Sequence, residues 1–251
     1  MSKLPSRDRT EPERLRRVSV FVPAYNEAAN LETALRDIVG AAAVLVDYEV
    51  IVVNDGSTDS TGQVGERLAE ENRRIRIVHQ TRNQGIAAAY ERALDEAKLE
   101  YFSFLPGDGE IAPASIRDIF AAVGRADVVA PYHGNSRARQ LHRRALTWMS
   151  TGLVNTLFGL RMRYFQGPCI YPTPLARSLP KTAGGFYFLT EMLVHALRAG
   201  YSCVEVPLTH QDRSHGRSKA VSARNVLRAL RAIAKLWWSV QIRKESIARR
   251  A

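Results

Sequence analysis

The apolar positions along the first two thirds of the chain alternate between two periods. Val18 to Val22 is a short run rich in β-forming residues that stops at Pro23, and Leu31, Leu35, Ile38 and Val39 then recur at helical spacing. Tyr48 to Val53 is a near-continuous apolar run, as expected for a strand covered on both faces. Ile75 to Val78, Tyr101 to Leu105 and Asp127 to Ala130 read as further strands. Ile86, Tyr90, Ala93, Leu94 and Ala97 mark one helix, and Ile116 to Val123 another. Strands and helices in alternation, with short links, predict a mostly parallel sheet flanked by helices.

Beyond Pro131 the pattern changes. Residues 133–144 are polar and basic, and Leu141 to Leu160 reads as one or two apolar helices. Glu191 to Ala199 reads as a helix, Tyr201 to Val206 as a strand and Gln211 to Ala220 as a polar loop. Ser222 to Lys244 forms a long amphipathic helix. On a wheel centred on Val226, the residues Leu230, Ile233, Trp237 and Val240 share one side, and Arg224, Arg228, Arg231 and Lys235 share the other. Two readings fit such a helix: one lying in the headgroup plane of a membrane, or one packing its apolar stripe on the protein's own core.

Composition narrows the class. The 251 residues are 45% hydrophobic, enough for a real core in one large α/β domain with short extensions. The opening MSKLPSRDRTEPERLRR lacks the apolar centre of a secretory signal and is expected to be a loose tail. Ala145 to Leu160 comes nearest to a spanning helix, but it is too short and contains Gly152 and Asn155, so no transmembrane segment is expected. Cys169 and Cys203 fit no metal spacing and no disulfide framework, which points to a reducing compartment. The net charge of +11 is concentrated: residues 213–251 hold eleven Lys or Arg against Glu245 alone. A basic tail on a near-neutral body calls for an anionic partner.

Candidate chemistry sits at the predicted strand ends, where open parallel sheets bind ligands. Strand one ends in Pro23-Ala24-Tyr25-Asn26-Glu27, strand two in Asn54-Asp55-Gly56-Ser57-Thr58-Asp59, and strand four in Pro106-Gly107-Asp108-Gly109-Glu110. Carboxylates there can accept from ribose hydroxyls or a base N–H, and a pair of them can hold a divalent cation that neutralises a diphosphate. Taken singly, each loop is also ordinary turn chemistry, and Asn26 with Glu27 also reads as a helix cap. Three such loops in order favour a shared site. The absence of GxGxxG and GxxxxGK motifs argues against dinucleotide-binding and P-loop enzymes.

The segments FVPAYNEAANLE (21–32), VVNDGSTDST (52–61), RNQGIAAAYERAL (82–94) and LPGDGE (105–110) resemble family 2 glycosyltransferases of the GT-A fold, which is Rossmann-like. The segment 187–220 resembles the later half of dolichyl-phosphate mannose synthases and bacterial polyprenyl-phosphate glycosyltransferases. The resemblance implies a nucleotide pocket lined by Pro23, Tyr25, Glu27 and Asp55 and shaped by Gln84 and Gly85. It implies Asp108 and Glu110 as ligands of Mg2+ or Mn2+. It implies a loop carrying Arg213, Ser218 and Lys219 that closes over phosphates, with Arg137 and Arg139 near the acceptor phosphate. Two positions depart from the family pattern. Pro106 replaces the first Asp of the D-x-D motif, and Phe165-Gln166-Gly167-Pro168-Cys169 stands where relatives carry an Asp followed by Gly-Phe-Arg.

The expectation is therefore a glycosyltransferase domain over residues 18–210, preceded by a tail over 1–17. A basic phosphate-binding loop and a membrane-surface helix follow over 211–251. The expected reaction is inverting transfer from a GDP- or UDP-sugar to a polyprenyl phosphate, by an enzyme attached peripherally to an anionic membrane on the cytoplasmic side. A hydroxyl acceptor with Glu191 as base is the alternative; Glu191 also reads as a helix carboxylate that bonds a nearby loop. Nucleic acid is not an expected partner, because Trp237 and Trp238 flank an apolar stripe rather than a basic groove. The oligomeric state stays open.

Overall fold

In strand β1 (Arg17–Ala24), alternate side chains point to opposite faces, and both faces are buried. Val18, Val20 and Val22 enter one apolar core and Phe21 enters a second. Strand β2 (Asp47–Asn54) does the same, with Val50 and Val52 on one side and Ile51 and Val53 on the other. The near-continuous apolar runs thus arise from a sheet sandwiched between helical layers. This computed structural model describes residues 16–134, 141–211 and 223–242.

Helices α1 (Leu31–Ala41), α2 (Thr61–Glu71) and α4 (Pro113–Ala121) feed the core that holds Val18, Val20 and Val22. Helices α3 (Ile86–Glu96), α5 (Leu141–Phe158), α6 (Thr173–Ser178), α7 (Tyr187–Arg198) and α8 (Ala223–Trp237) contribute to the other core. There Tyr90 sets its edge against Phe102 and Phe188, with ring centroids 5.0 and 5.1 Å apart.

The remaining strands are β3 (Ile75–His79), β4 (Tyr101–Phe104), β5 (Val128–His133), β6 (Ile170–Pro172) and β7 (Cys203–Leu208). They form one seven-stranded sheet in the order β3-β2-β1-β4-β6-β5-β7. Pairs β1–β2, β1–β4, β2–β3 and β5–β7 are parallel, and β6 runs antiparallel to both β4 and β5. Every strand except β6 therefore presents its carboxyl end to the same edge, and the loops that follow those strands gather there.

The expected mixed α/β architecture is the one observed. Three elements go beyond the sequence reading. Helix α2 buries only Thr61, Gly65 and Leu68, so its inner face does not look apolar in the sequence. Gly65 lets β3 approach closely: a Cβ there would lie 2.3 Å from the Ile77 Cδ1 atom, and that side chain would have to turn aside. Strand β6 is three residues long and continues directly into α6, too short for a period to show. Residues 141–158 form one helix rather than two.

Helix α8 also differs from a purely interfacial reading. Ile233 and Leu236 are buried in the core, and Trp237 and Val240 pack against it. Leu230 and Trp238 remain exposed. Part of the amphipathic stripe is therefore spent on the protein itself, against α5 and α7. Among the described residues, no helix is long and apolar enough to cross a membrane.

Candidate active site at the carboxyl edge of the sheet

The loops after β1 and β2 are stapled together. Asn26 occupies the left-handed region at φ 56°, where Asn is better tolerated than most residues. Its backbone N–H donates to Ser57 Oγ at 3.0 Å, and its Oδ1 accepts from the Thr58 amide at 2.8 Å. The Glu27 amide donates to Thr61 Oγ1 at 2.8 Å, and the Ala28 amide donates to Asp59 Oδ2 at 3.3 Å. Burial raises the pKa of the Asp59 carboxyl, but bonds from the Thr61 hydroxyl and amide and from the Ala28 amide more than offset this and leave it below the usual carboxylate value. Glu27 Oε2 accepts from Asn30 Nδ2 at 2.9 Å, but Asn30 is the residue at the cap of α1 and its side chain makes no capping bond, so Asn26 and Glu27 serve the junction between loops rather than a helix cap.

Asp55 joins the loop after β2 to the loop after β3. Its Oδ1 accepts from the Gln84 amide at 2.7 Å and its Oδ2 from the Gly85 amide at 2.9 Å, with the residue only 5% exposed. A carboxylate has about four lone-pair sites, so acceptor capacity toward a ligand is left over. The sequence reading had Asp55 line the pocket; the structure adds that it positions the 82–85 segment. Gly56 makes the junction tight. At φ 67°, a Cβ there would lie 2.4 Å from the Arg82 carbonyl carbon.

Asp108 reaches the same edge from the other flank of β1. Gly107 lets the loop after β4 press on the end of β1, where an added Cβ would stand 2.8 Å from the Pro23 carbonyl oxygen. Asp108 Oδ1 accepts from the Glu110 amide at 3.1 Å, and both residues are partly exposed. Tyr25 is 46% exposed beside them at the end of β1, and Gln84 is exposed on the far side of Asp55. Pro23, Tyr25, Glu27, Asp55, Gln84, Gly85, Asp108 and Glu110 thus all lie on one edge, contributed by adjacent strands β3, β2, β1 and β4.

The segment after β7 closes this edge. The Gln211 amide donates to the Glu110 carbonyl at 2.8 Å, and the Gln211 side chain donates to the Gly109 carbonyl at 2.9 Å. Ile111 and His210 form a β-bridge. His210 Nε2 and His133 Nδ1 lie 2.8 Å apart and tie the ends of β7 and β5, so one ring nitrogen donates and the other accepts. Arg213, Ser218 and Lys219 lie outside the described residues, as do Arg137 and Arg139. The chain leading to Arg213 leaves from beside Glu110.

Glu191 has a different setting. It is 4% exposed on α7, where Oε1 accepts from Thr182 Oγ1 at 2.7 Å and Oε2 from the Ala183 amide at 2.9 Å. It is a helix carboxylate holding a loop, as the second reading of this residue had it. The sequence reading placed Ser57, Thr58 and Asp59 in a candidate loop but assigned no stapling role to them, to Thr61 or to Gln211. Ser57, Asp59, Thr61 and Gln211 bond distant backbone and Thr58 donates to the Asn26 side chain, all across sequence gaps that no local pattern reveals. Neither cysteine is poised as a nucleophile: burial raises the pKa of Cys169, and burial with the nearby Glu205 pushes Cys203 to about 12.

Comparison with known proteins agrees with this geometry. The polyprenol monophosphomannose synthase of Mycolicibacterium smegmatis is 28% identical over 238 residues, which span 90% of this chain and 88% of that protein. The undecaprenyl-phosphate mannosyltransferase of Micrococcus luteus is 26% identical over 214 residues, 81% of this chain and 87% of that one. Glycosyltransferase AglD of Haloferax volcanii is 29% identical over 241 residues, but this chain spans only 38% of its length. A crystal structure of glucosyl-3-phosphoglycerate synthase from Mycobacterium tuberculosis, with Mn2+, UDP and phosphoglyceric acid, superposes with a TM-score of 0.66 at 18% identity. It covers 92% of this chain and 81% of that one, which shows a shared GT-A fold. The model of the family described as Glycosyl transferase family 2 matches residues 19–177, well over half of the sequence, and the protein belongs to that family.

Proposed function

We propose that the protein transfers one sugar from a nucleotide-diphosphate sugar, GDP- or UDP-linked, to a polyprenyl phosphate with inversion at the anomeric carbon. The observation that carries the choice of acceptor is the engagement of Glu191. A hydroxyl acceptor needs a base within reach of its proton, and the candidate base is 4% exposed, is turned onto Thr182 and Ala183 of its own chain, and is not among the described residues that line the adjoining cleft. A phosphate monoester has a second pKa near about 6 and is already largely ionised at neutral pH. Its oxygen attacks the anomeric carbon, the bond to the diphosphate breaks, and the nucleoside diphosphate leaves with the electron pair. The names of the mycolicibacterial and micrococcal relatives support the same acceptor class.

The enzyme's work is then positioning and charge. Asp55 holds the 82–85 segment and Gly107 seats the Asp108 loop against Pro23, so the donor enters a preformed edge. Among the described residues, no three metal-ligating side chains cluster. A hard cation shared with substrate phosphates asks the protein for only one or two carboxylates, however, and Asp108 with Glu110 meets that demand despite Pro106. These two residues would hold Mg2+ or Mn2+, which when bound neutralises the departing diphosphate. The basic segment with Arg213, Ser218 and Lys219 begins beside this loop.

The membrane reading rests on exposed apolar side chains. Trp148 is 79% and Met149 61% exposed on α5, Leu230 is exposed on α8, which packs beside it, and Trp238 is exposed directly after α8. Such a patch next to a basic tail fits peripheral attachment to an anionic membrane on the cytoplasmic side, and two unpaired thiols accord with a reducing compartment. The double change Trp148→Ser with Met149→Ser is expected to weaken binding to anionic vesicles by about a hundredfold or more in a flotation assay, since burying each side chain is worth roughly 1.5–3 kcal/mol. Unchanged flotation would remove α5 from the contact.

The reaction is tested with radiolabelled nucleotide sugars, polyprenyl phosphate and Mg2+. Label is expected in the lipid phase with at least one donor, and none with any donor would refute the proposal. Glu191→Gln discriminates the acceptor class. Glutamine can still accept from the Ala183 amide, and the Thr182 hydroxyl can turn to accept from its NH2, so kcat is expected to stay within about threefold of wild type. A loss of about a thousandfold with intact donor binding would instead make Glu191 the base for a hydroxyl.

A further inference from the structure

We infer that the acceptor's phosphate group is received in the cleft between the 182–187 segment and α8, on Arg231 and Lys235. This rests on the phosphate-acceptor reading above and assigns residues to it. The cleft has a volume of about 720 Å³. Among the described residues, its lining contains two cations, Arg231 and Lys235, and no carboxylate. Four residues apart on a helix, the two side chains lie one above the other on the same face. Both are exposed, and neither forms an ion pair with a described residue. Like charges at that spacing repel, and an anion between them reverses the sign of the interaction. A guanidinium offers a phosphate two parallel N–H donors, and an ammonium adds a point charge.

The facing wall is rigid and open. Glu191 pins Thr182 and Ala183, so the segment that follows them starts from a fixed point. Gly184 and Gly185 then pass with free space where a side chain would stand, Gly185 at φ 61°. Phe186, exposed, brings its ring centroid to 6.4 Å from that of Phe104, the last residue of β4. The chain runs from there through Pro106 to Asp108. The cleft therefore adjoins the donor edge but carries the opposite charge: acids on the side of the sugar nucleotide, cations on the side of the incoming nucleophile. Leu230 and Trp238 flank the cations on α8 and are exposed, a course for a lipid chain leaving a headgroup held at Arg231 and Lys235.

The experiment uses geranyl phosphate, a short prenyl phosphate that dissolves without a membrane, so that a general attraction of α8 for anionic bilayers does not enter. The full-length protein is compared with the double variant Arg231→Gln, Lys235→Gln and with the charge-preserving pair Arg231→Lys, Lys235→Arg. Calorimetry measures binding of geranyl phosphate, and steady-state kinetics measure KM for acceptor and donor separately. The neutral pair is expected to raise the acceptor Kd and KM about tenfold or more while the donor KM stays unchanged, and the charge-preserving pair to recover most of the loss. Unchanged geranyl phosphate binding in the neutral pair overturns the inference, as does a rise confined to the donor KM. Inorganic phosphate binding as tightly as geranyl phosphate overturns the lipid source. If the wild-type protein binds geranyl phosphate through these residues yet transfers no sugar to any prenyl phosphate, the proposed reaction fails and the anion cleft stands.

Discussion

Asp108→Ala is expected to lower kcat by about a thousandfold or more, with the melting temperature almost unchanged. The size follows from the role: a group that stabilises charge developing on the leaving diphosphate, directly or through a cation, is worth about two to three orders of magnitude or more in a water-poor site. The small structural effect follows from the setting. Asp108 is partly exposed on a turn whose shape is also held by Gly107 against Pro23 and by Gln211 on the Gly109 and Glu110 carbonyls. Single-turnover assays with saturating donor, beside a melting curve, check both halves. A variant that keeps a wild-type rate would mean that the diphosphate does not sit on this loop.

Asp55→Ala is expected to act in the opposite proportion, through the fold of the donor pocket. Removing the carboxylate leaves the Gln84 and Gly85 amides without their acceptor in a site where Asp55 is 5% exposed. Hydrogen bonds to a charged acceptor contribute roughly 1.5–3 kcal/mol each, and their loss is not fully additive, so about 2–4 kcal/mol is expected. At this chain length that corresponds to a fall of roughly 5–15 °C in Tm. Asp55→Asn is nearly isosteric, yet it should recover less than half of the loss. One oxygen can still accept, but the amide NH2 then faces a backbone N–H, donor against donor. Donor affinity should fall in parallel with Tm if the 82–85 segment forms one wall of the donor pocket, as proposed. An Asn variant as stable as wild type would show that the two amides find another partner.

These two aspartates also show how far the sequence reading reaches. Both were legible as candidates, since a polar, acid-bearing loop after an apolar run is a local pattern and parallel sheets place such loops together. Their division of labour was not legible. Asp55 bonds residues 29 and 30 positions away, and only the crossover from β2 through α2 to β3 brings that backbone to it. Glu191 shows the same limit. Its position matches a family pattern, but whether its oxygens are open or bound depends on where the chain passes at Thr182. Helix α8 shows it at the level of surface. A wheel separates charged from apolar sides, but it cannot say which apolar side chains meet protein and which meet solvent.

The sequence by itself determined the class of fold, the edge at which the acid-bearing loops gather and the family. Each depends on local composition and period: doubly covered strands read as apolar runs, turns read as Gly, Asn and Asp, and the loop motifs are contiguous. Only the tertiary structure decided the place of the antiparallel β6, the stapling of four loops into one edge, the seating of Ile233 and Leu236 in the core, and the cleft that Arg231 and Lys235 line. These arise where segments distant in the chain come within bonding reach. That proximity is set by the packing of two cores against one sheet, a property of the whole chain rather than of any window within it.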